Sequence, residues 1–241
     1  MRRDGRFRLS LHSRLVLITT AILIVGGAVA YAAMEWNLAF AGMSSWARWM
    51  NALFMSVTCR TAGFNTVNYG DLADSTVFLT MVLMQIGGSP GSTAGGFKTT
   101  TVALLAVLSW SRIAGRQSVN CFNRTVPNDT IQRAVGLFVT VTVVVIACIF
   151  VFTLTDLAHL GHSKVAGRFL KLAFETVSAF NTVGLSMGVT PELTSTGRWM
   201  TILLMFAGRV GPLTLVAAMA RRQKAGRGKD YRFAHEGVDV G

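Results

Sequence analysis

Apolar residues run through this chain in long charge-free stretches, separated by short polar segments rich in Gly, Thr and Asn. Residues 15–34 form a stretch of 20 without a charge, and residues 134–155 form one of 22. At about 1.5 Å rise per residue, either crosses a hydrocarbon core roughly 30 Å thick. Residues 199–220 are a third such run, with Arg209 as the only charge. Residues 76–111 would be a fourth, but five glycines and a proline within 87–98 interrupt it. Two amphipathic stretches, 48–57 and 169–179, are too short to cross and predict re-entrant helices. The order span, short helix, loop, span therefore occurs twice. It predicts an all-α membrane protein of two span–pore-helix–filter-loop–span repeats, at 15–111 and 131–220. A basic N-terminus (1–14), a linker (112–130) and a C-terminal tail (221–241) flank them.

The polar segments carry a second regularity. Thr58-Cys59-Arg60-Thr61-Ala62-Gly63-Phe64-Asn65-Thr66 and Phe180-Asn181-Thr182-Val183-Gly184-Leu185-Ser186 each contain Thr-x-Gly, and the two copies lie 121 residues apart. Gly87 and Gly208, in the two returning spans, share that spacing, whereas Phe54 and Phe174 are 120 apart. Bare backbone at membrane depth must line water or be buried in protein. Gly63 and Gly184 permit the dihedrals, φ > 0 included, that aim successive carbonyls at one axis. The expected ion-binding groups are the carbonyls of Thr61, Ala62, Gly63 and Phe64, and of Asn181, Thr182, Val183, Gly184 and Leu185. Neither loop carries an acidic side chain, so a cation would be held at filter carbonyls only. The negative end of each short helix would favour a cation there.

The interruption of the first returning span predicts a gate below the filter, built from Gly88, Ser89, Gly91, Ser92, Thr93, Gly95, Gly96 and Lys98. A phosphate-binding loop is the rival reading. Gly91 to Gly96 followed by Lys98-Thr99 nearly matches G-x-x-x-x-G-K-T, but Phe97 is inserted and displaces the lysine. Arg209, mid-span, would face the gate loop as an electrostatic barrier or as a donor to its carbonyls.

Composition and charge narrow the class. Hydrophobic residues make up 51% of the chain and charged residues 14%, with a net charge of +12. The basic residues cluster before the first span, between the repeats and after the last span. The opposite loops are near neutral, with Glu35, Asp71, Asp74, Asp156, Glu175 and Glu192 among them. That asymmetry places both termini in the cytoplasm of a multi-pass cell-membrane protein. It makes anionic lipid, not nucleic acid, the partner of the arginines. The first span is expected to be retained, since no cleavage site clearly follows it. Cys59, Cys121 and Cys148 imply no disulfide. His159 and His162 sit in a Gly-flanked loop without a third ligand.

Together these residues resemble the Trk/Ktr/HKT superfamily of potassium transporters, and the Ktr-type membrane subunit most of all. The two Thr-x-Gly loops resemble the third and fourth filter signatures. Gly88 to Lys98 resembles the intramembrane loop, Arg209 the inner-helix arginine, and Tyr231 through Gly241 the family ending. The resemblance implies four repeats around one pore, of which this chain holds the last two. A missing N-terminal half or a second copy would complete the pore. It further implies a homodimer docked on a cytoplasmic nucleotide-binding regulatory ring. The expected function is potassium uptake, with no enzymatic activity and no cofactor. Potassium is the substrate, with sodium coupling as an added possibility of the family. The alternative is a non-conducting membrane scaffold that binds a regulatory partner subunit, and a membrane ATPase dependent on Lys98 is a third reading.

Overall fold

The computed structural model describes residues 10–116, 118–122, 124–157 and 167–225, with backbone alone over 211–225. His159, His162, the arginines before Ser10 and the tail beyond Ala225 lie outside the described residues. The chain is mostly helical: α1 (Leu11–Glu35), α2 (Ser45–Thr58), α3 (Asp74–Gln85), α4 (Thr99–Ile113), α5 (Asn128–Phe152), α6 (Arg168–Phe180) and α7 (Ser195–Ala225). A two-stranded hairpin, β1 (Asn120–Cys121) and β2 (Arg124–Thr125), joins α4 to α5. A π-helical turn (Thr153–Leu157) extends α5.

The long helices α1 and α5 (the latter with its π-turn) are apolar enough to cross a membrane. Their burial pattern inverts that of a soluble protein. On α1 only Gly27, Ala28, Tyr31, Ala32 and Glu35 are buried, while Leu17, Ile22 and Val25 are exposed. On α5, Ile146 and Phe150 are exposed, as Leu203 and Phe206 are on α7. Exposed apolar belts on long helices suit a hydrocarbon solvent.

The inward stripe of α1 receives α2 through a close approach. A Cβ at Gly27 would strike the Ser56 side chain, and the Ser56 hydroxyl donates to the Ile24 carbonyl at 2.8 Å. The Tyr31 and Thr80 hydroxyls, 2.7 Å apart, tie α3 to α1. The core continues through Met55, Cys59, Val77 and Met84 into Phe174, Val177 and Phe180 of α6. Tyr69 and Phe174 meet there, with ring centroids 5.5 Å apart. The two short helices thus share one core, and the loops that follow them start side by side.

The break in the first returning span is real and closed at its base. α3 stops at Gln85 and α4 restarts at Thr99. The Phe97 amide donates to the Gln85 carbonyl at 2.8 Å, and the Thr99 amide to the Gly88 carbonyl at 3.2 Å. These bonds satisfy helix-end groups that the glycines and Pro90 leave over. The second returning span, α7, has no such break.

Candidate functional site

Each short helix ends by winding directly into its Thr-x-Gly loop. The Ala62 and Gly63 amides donate to the Thr58 carbonyl, and the Val183 amide donates to the Ser178 carbonyl. Thr61 (φ 70°), Gly63 (φ 78°), Thr182 (φ 53°) and Gly184 (φ 95°) all adopt left-handed backbone. Ala62 and Val183, between them, do not. Alternating handedness turns successive peptide planes so that their carbonyls face one way. A β-branched residue at positive φ is strained by about 1–3 kcal/mol, and such strain concentrates at functional sites. Among the described residues only Thr61, Phe122 and Thr182 are non-glycine residues with positive φ.

The two loops abut. A Cβ added to Gly63 would run into the Val183 carbonyl, and one on Gly184 would lie 3.6 Å from the Gly63 Cα. Among the described residues, no donor reaches the carbonyls of Thr61, Ala62, Gly63, Asn181, Thr182, Val183 or Gly184. Unpaired backbone acceptors at this density are unusual in a folded chain. The Leu185 carbonyl is also without a donor, but that of Phe64 accepts from the Thr58 hydroxyl at 2.5 Å, so Phe64 offers its carbonyl to that side chain.

Beneath the second loop lies the segment 86–98. Gly95 and Gly96 are buried against Asn181: a Cβ on Gly95 would meet the Asn181 carbonyl, and one on Gly96 the Gln85 carbonyl and the Asn181 side chain. Asn181 is wholly buried, and its Nδ2 donates to Val177. Asn181 Oδ1 and Thr182 Oγ1 are buried without partners. The far end of the segment is open, with Gly91 and Thr93 exposed. Gly88 and Ser89 are half-buried between these ends.

Lys98 holds this segment in its folded-back shape. Its Nζ donates to the Ser92 carbonyl at 3.0 Å and to the Ala94 carbonyl at 2.7 Å. Arg209, expected as a possible donor to the loop, makes no hydrogen bond or ion pair among the described residues. Arg209 lines a cavity of about 510 Å³ with Pro90, Ser92, Lys98, Thr101 and Leu137, where its charge repels that of Lys98. The anchoring of loop carbonyls thus falls to the lysine, because Lys98 follows the segment directly and its stem reaches back across it. Arg60, one residue before Thr61, donates to the Gly87 carbonyl at 3.3 Å and links the first loop to the start of the break.

Sequence reasoning treated Glu35 and Asp156 as outer-surface charges and missed their structural use. Glu35 is wholly buried at the end of α1 and accepts from the Ala73 amide at 3.1 Å and the Ala39 amide at 3.3 Å. Asp156 accepts from the Thr194 amide at 2.9 Å. Glu35 and Asp156 lie 121 positions apart, as do Ala73 and Thr194, so one spacing in the sequence relates both clamps. Each carboxylate fastens the outer end of one long helix to the start of the next returning helix. The second loop has a further tether: Glu175 accepts from Ser186 Oγ, the Met187 amide and Thr190 Oγ1. The three cysteines are free, and burial pushes the Cys121 thiol up in the hairpin outside the spans. No cluster of metal-ligating side chains occurs among the described residues.

A family model described as TrkH, cation transport protein, matches residues 8–227. The potassium/sodium uptake protein NtpJ of Enterococcus hirae is 37% identical over 97% of this chain and 51% of its own length. The Ktr system potassium uptake protein B of Vibrio alginolyticus is 34% identical over 91% of this chain and 47% of its own. The Ktr system potassium uptake protein D of Bacillus subtilis is 34% identical over 98% of this chain and 50% of its own. The chain therefore spans about half the length of these relatives. The crystal structure of the potassium transporter TrkH from Vibrio parahaemolyticus superposes with a TM-score of 0.67 at 20% identity, over 87% of this chain and 44% of that one. That likeness establishes the fold. The family and these relatives are membrane transporters, not enzymes.

Proposed function

The chain belongs to the TrkH family of cation transport proteins, and from that premise we propose that it forms part of a potassium-conducting path across the cell membrane. The observation that carries this reading is the abutting pair of Thr-x-Gly loops with a row of carbonyls lacking donors. A partly dehydrated monovalent cation supplies what such carbonyls lack. Potassium is then the substrate, held by the carbonyls of Thr61–Phe64 and Asn181–Leu185, with the Phe64 carbonyl shared with the Thr58 hydroxyl. The name of the enterococcal relative extends the proposal to sodium as a coupled or competing ion. The segment from Gly88 to Gly96 gates below the second loop, closed by Lys98, and Arg209 adds a positive barrier beside it.

Two repeats supply half of such a pore. Phe64 and Leu185 occupy matching places, yet Phe64 is 72% exposed and Leu185 only 2%. An uncovered first loop beside a covered second one supports a neighbour on the first loop's open flank. That neighbour is an N-terminal half or a second copy. The Ktr-system names of two relatives support a larger assembly, with a second protomer and a cytoplasmic nucleotide-binding ring as the proposed partners. Both termini are cytoplasmic in this reading.

Flux is the test. The chain is co-expressed with the N-terminal half of a relative in a bacterium lacking its own potassium uptake. The expected outcome is growth at low potassium and rubidium uptake that potassium competes away. A folded, membrane-inserted complex that captures its partner yet moves no rubidium would replace conduction with the scaffold reading.

A further inference from the structure

The hairpin between α4 and α5 forms a second polar site, separate from the ion path. A cleft of about 490 Å³ is lined by Arg116, Asn120, Phe122, Arg124 and Thr125. Two exposed arginines, Arg116 and Arg124, line it, and no acidic residue does. Neither Arg116 nor Arg124 has a side-chain hydrogen bond or ion pair among the described residues. Like charges left unpaired in one cleft repel unless an anion joins them.

The cleft is preorganised. Asn120 pairs with Thr125 across the ladder, and the Thr125 hydroxyl donates to Asn120 Oδ1 at 2.8 Å. The Val126 amide donates to the Val119 carbonyl at 2.9 Å, and Ser111 Oγ to the Ser118 carbonyl at 3.0 Å. Val119, Val126 and Ile131 are buried against Leu104, Val107 and Leu108. The hairpin is thus fixed to the ends of both helices, and Phe122 takes a left-handed turn (φ 49°) that sets its ring at the cleft wall.

Its surroundings point to lipid. The last turns of α4 expose Trp110 (72%) and Ile113 (82%) just before Arg116, and α5 starts at Asn128, just after the hairpin. Both apolar helices end on this side, so the cleft sits where hydrocarbon gives way to headgroups. A tryptophan and arginines at that level match an interfacial anchor. We propose that the cleft formed by Arg116, Asn120 and Arg124 binds the phosphate of an anionic phospholipid headgroup in the adjoining leaflet, with Trp110 and Ile113 against its acyl chains.

Trp110 makes the proposal measurable. The full chain is placed in phosphatidylcholine vesicles doped with acyl-brominated phosphatidylglycerol or acyl-brominated phosphatidylcholine at equal fractions. Trp110→Phe isolates the signal of that tryptophan. The expected result is stronger quenching of Trp110 by the anionic lipid. Arg116→Gln/Arg124→Gln should weaken that preference by about fivefold per arginine, and each single variant by about half of the double effect on a logarithmic scale. Arg133→Gln, which removes a charge from α5 outside the cleft, should leave it unchanged. Equal quenching by both lipids overturns the proposal, as does a preference that survives in the double variant. A loss in Arg133→Gln equal to that of a cleft variant reduces it to general surface charge. Displacement of the preference by millimolar inorganic phosphate reassigns the cleft to a soluble phosphate and overturns the lipid assignment.

Discussion

The two returning helices start from the same kind of clamp and end in different devices. α3 and α7 each follow a carboxylate-held amide, from Glu35 and Asp156, and matching glycines follow at Gly87, just past the end of α3, and at Gly208, within α7. On α7 that glycine lets an unbroken helix lie on the end of α6: a Cβ at Gly208 would strike the Phe180 carbonyl. In the first half a Cβ at Gly87 would meet the Gly95 carbonyl instead, because the chain folds back between α3 and α4. One half thus buttresses the end of its short helix, where its Thr-x-Gly loop starts, with an unbroken helix. The other inserts a glycine-rich segment that reaches across and packs under the opposite loop, at Asn181. Close backbone approach joins helix to helix end in one place and the two limbs of a folded-back segment in the other.

The sharpest way to break this comparison is to fill the two matching glycines. Gly208→Ala presses a side chain on backbone held at both sides and should cost about 3 kcal/mol or more, read as lost thermal stability in detergent. Gly87→Ala presses on the Gly95 carbonyl, in a segment that can shift toward its open tip at Gly91, and should cost about 1–2 kcal/mol while changing flux. Equal losses would mean that the segment is as fixed as the helix end.

The glycines of the two Thr-x-Gly loops should differ in the same spirit. Gly63→Ala combines positive φ with a collision on the Val183 carbonyl, and should cost about 2–3 kcal/mol and disturb both loops. Gly184→Ser meets no close neighbour beyond ordinary contact, so only the left-handed backbone opposes it, at about 1–2 kcal/mol. In a complete transporter Gly184→Ser should therefore fold and show a lowered potassium-to-sodium flux ratio. An unchanged ratio removes Gly184 from the ion path.

Clamp removal should rank by burial. Glu35→Ala leaves two amides without their acceptor at a wholly buried site and should cost about 2–3 kcal/mol. Asp156→Ala, at a half-buried site, should cost about 1 kcal/mol. Chemical denaturation of both variants tests the order, and a reversal would show that the two clamps do not hold equivalent ends.

Changes in the segment under the second loop should be read as rate rather than as stability. Lys98→Met frees the Ser92 and Ala94 carbonyls and should raise basal flux about tenfold, equivalent to about 1.4 kcal/mol. Arg209→Gln should raise flux by a similar factor through lost charge, and Arg209→Lys should not, because Arg209 makes no forked bond to the loop for a lysine to lose. A large rise in Arg209→Lys would restore a structural role for that arginine.

Much of this molecule was legible from residue order alone. Charge-free length announced the long helices, because only a helix satisfies its own backbone in hydrocarbon. Five glycines and a proline announced the break, and repetition of Thr-x-Gly marked both loops. Those are local properties, written in neighbouring residues. Contacts between distant residues were decided only by the tertiary structure. Glu35 reads as a surface charge until Ala73, 38 residues later, brings its amide to it. Phe64 reads as a bare carbonyl of its loop until the fold brings the Thr58 hydroxyl to it as a donor. The donor that ties down the segment 86–98 is Lys98, not Arg209, because the fold-back carries the Ser92 and Ala94 carbonyls within reach of the nearer cation. Propensity and periodicity describe how the chain runs, whereas a polar group's partner depends on which segments packing brings within about 3 Å of it.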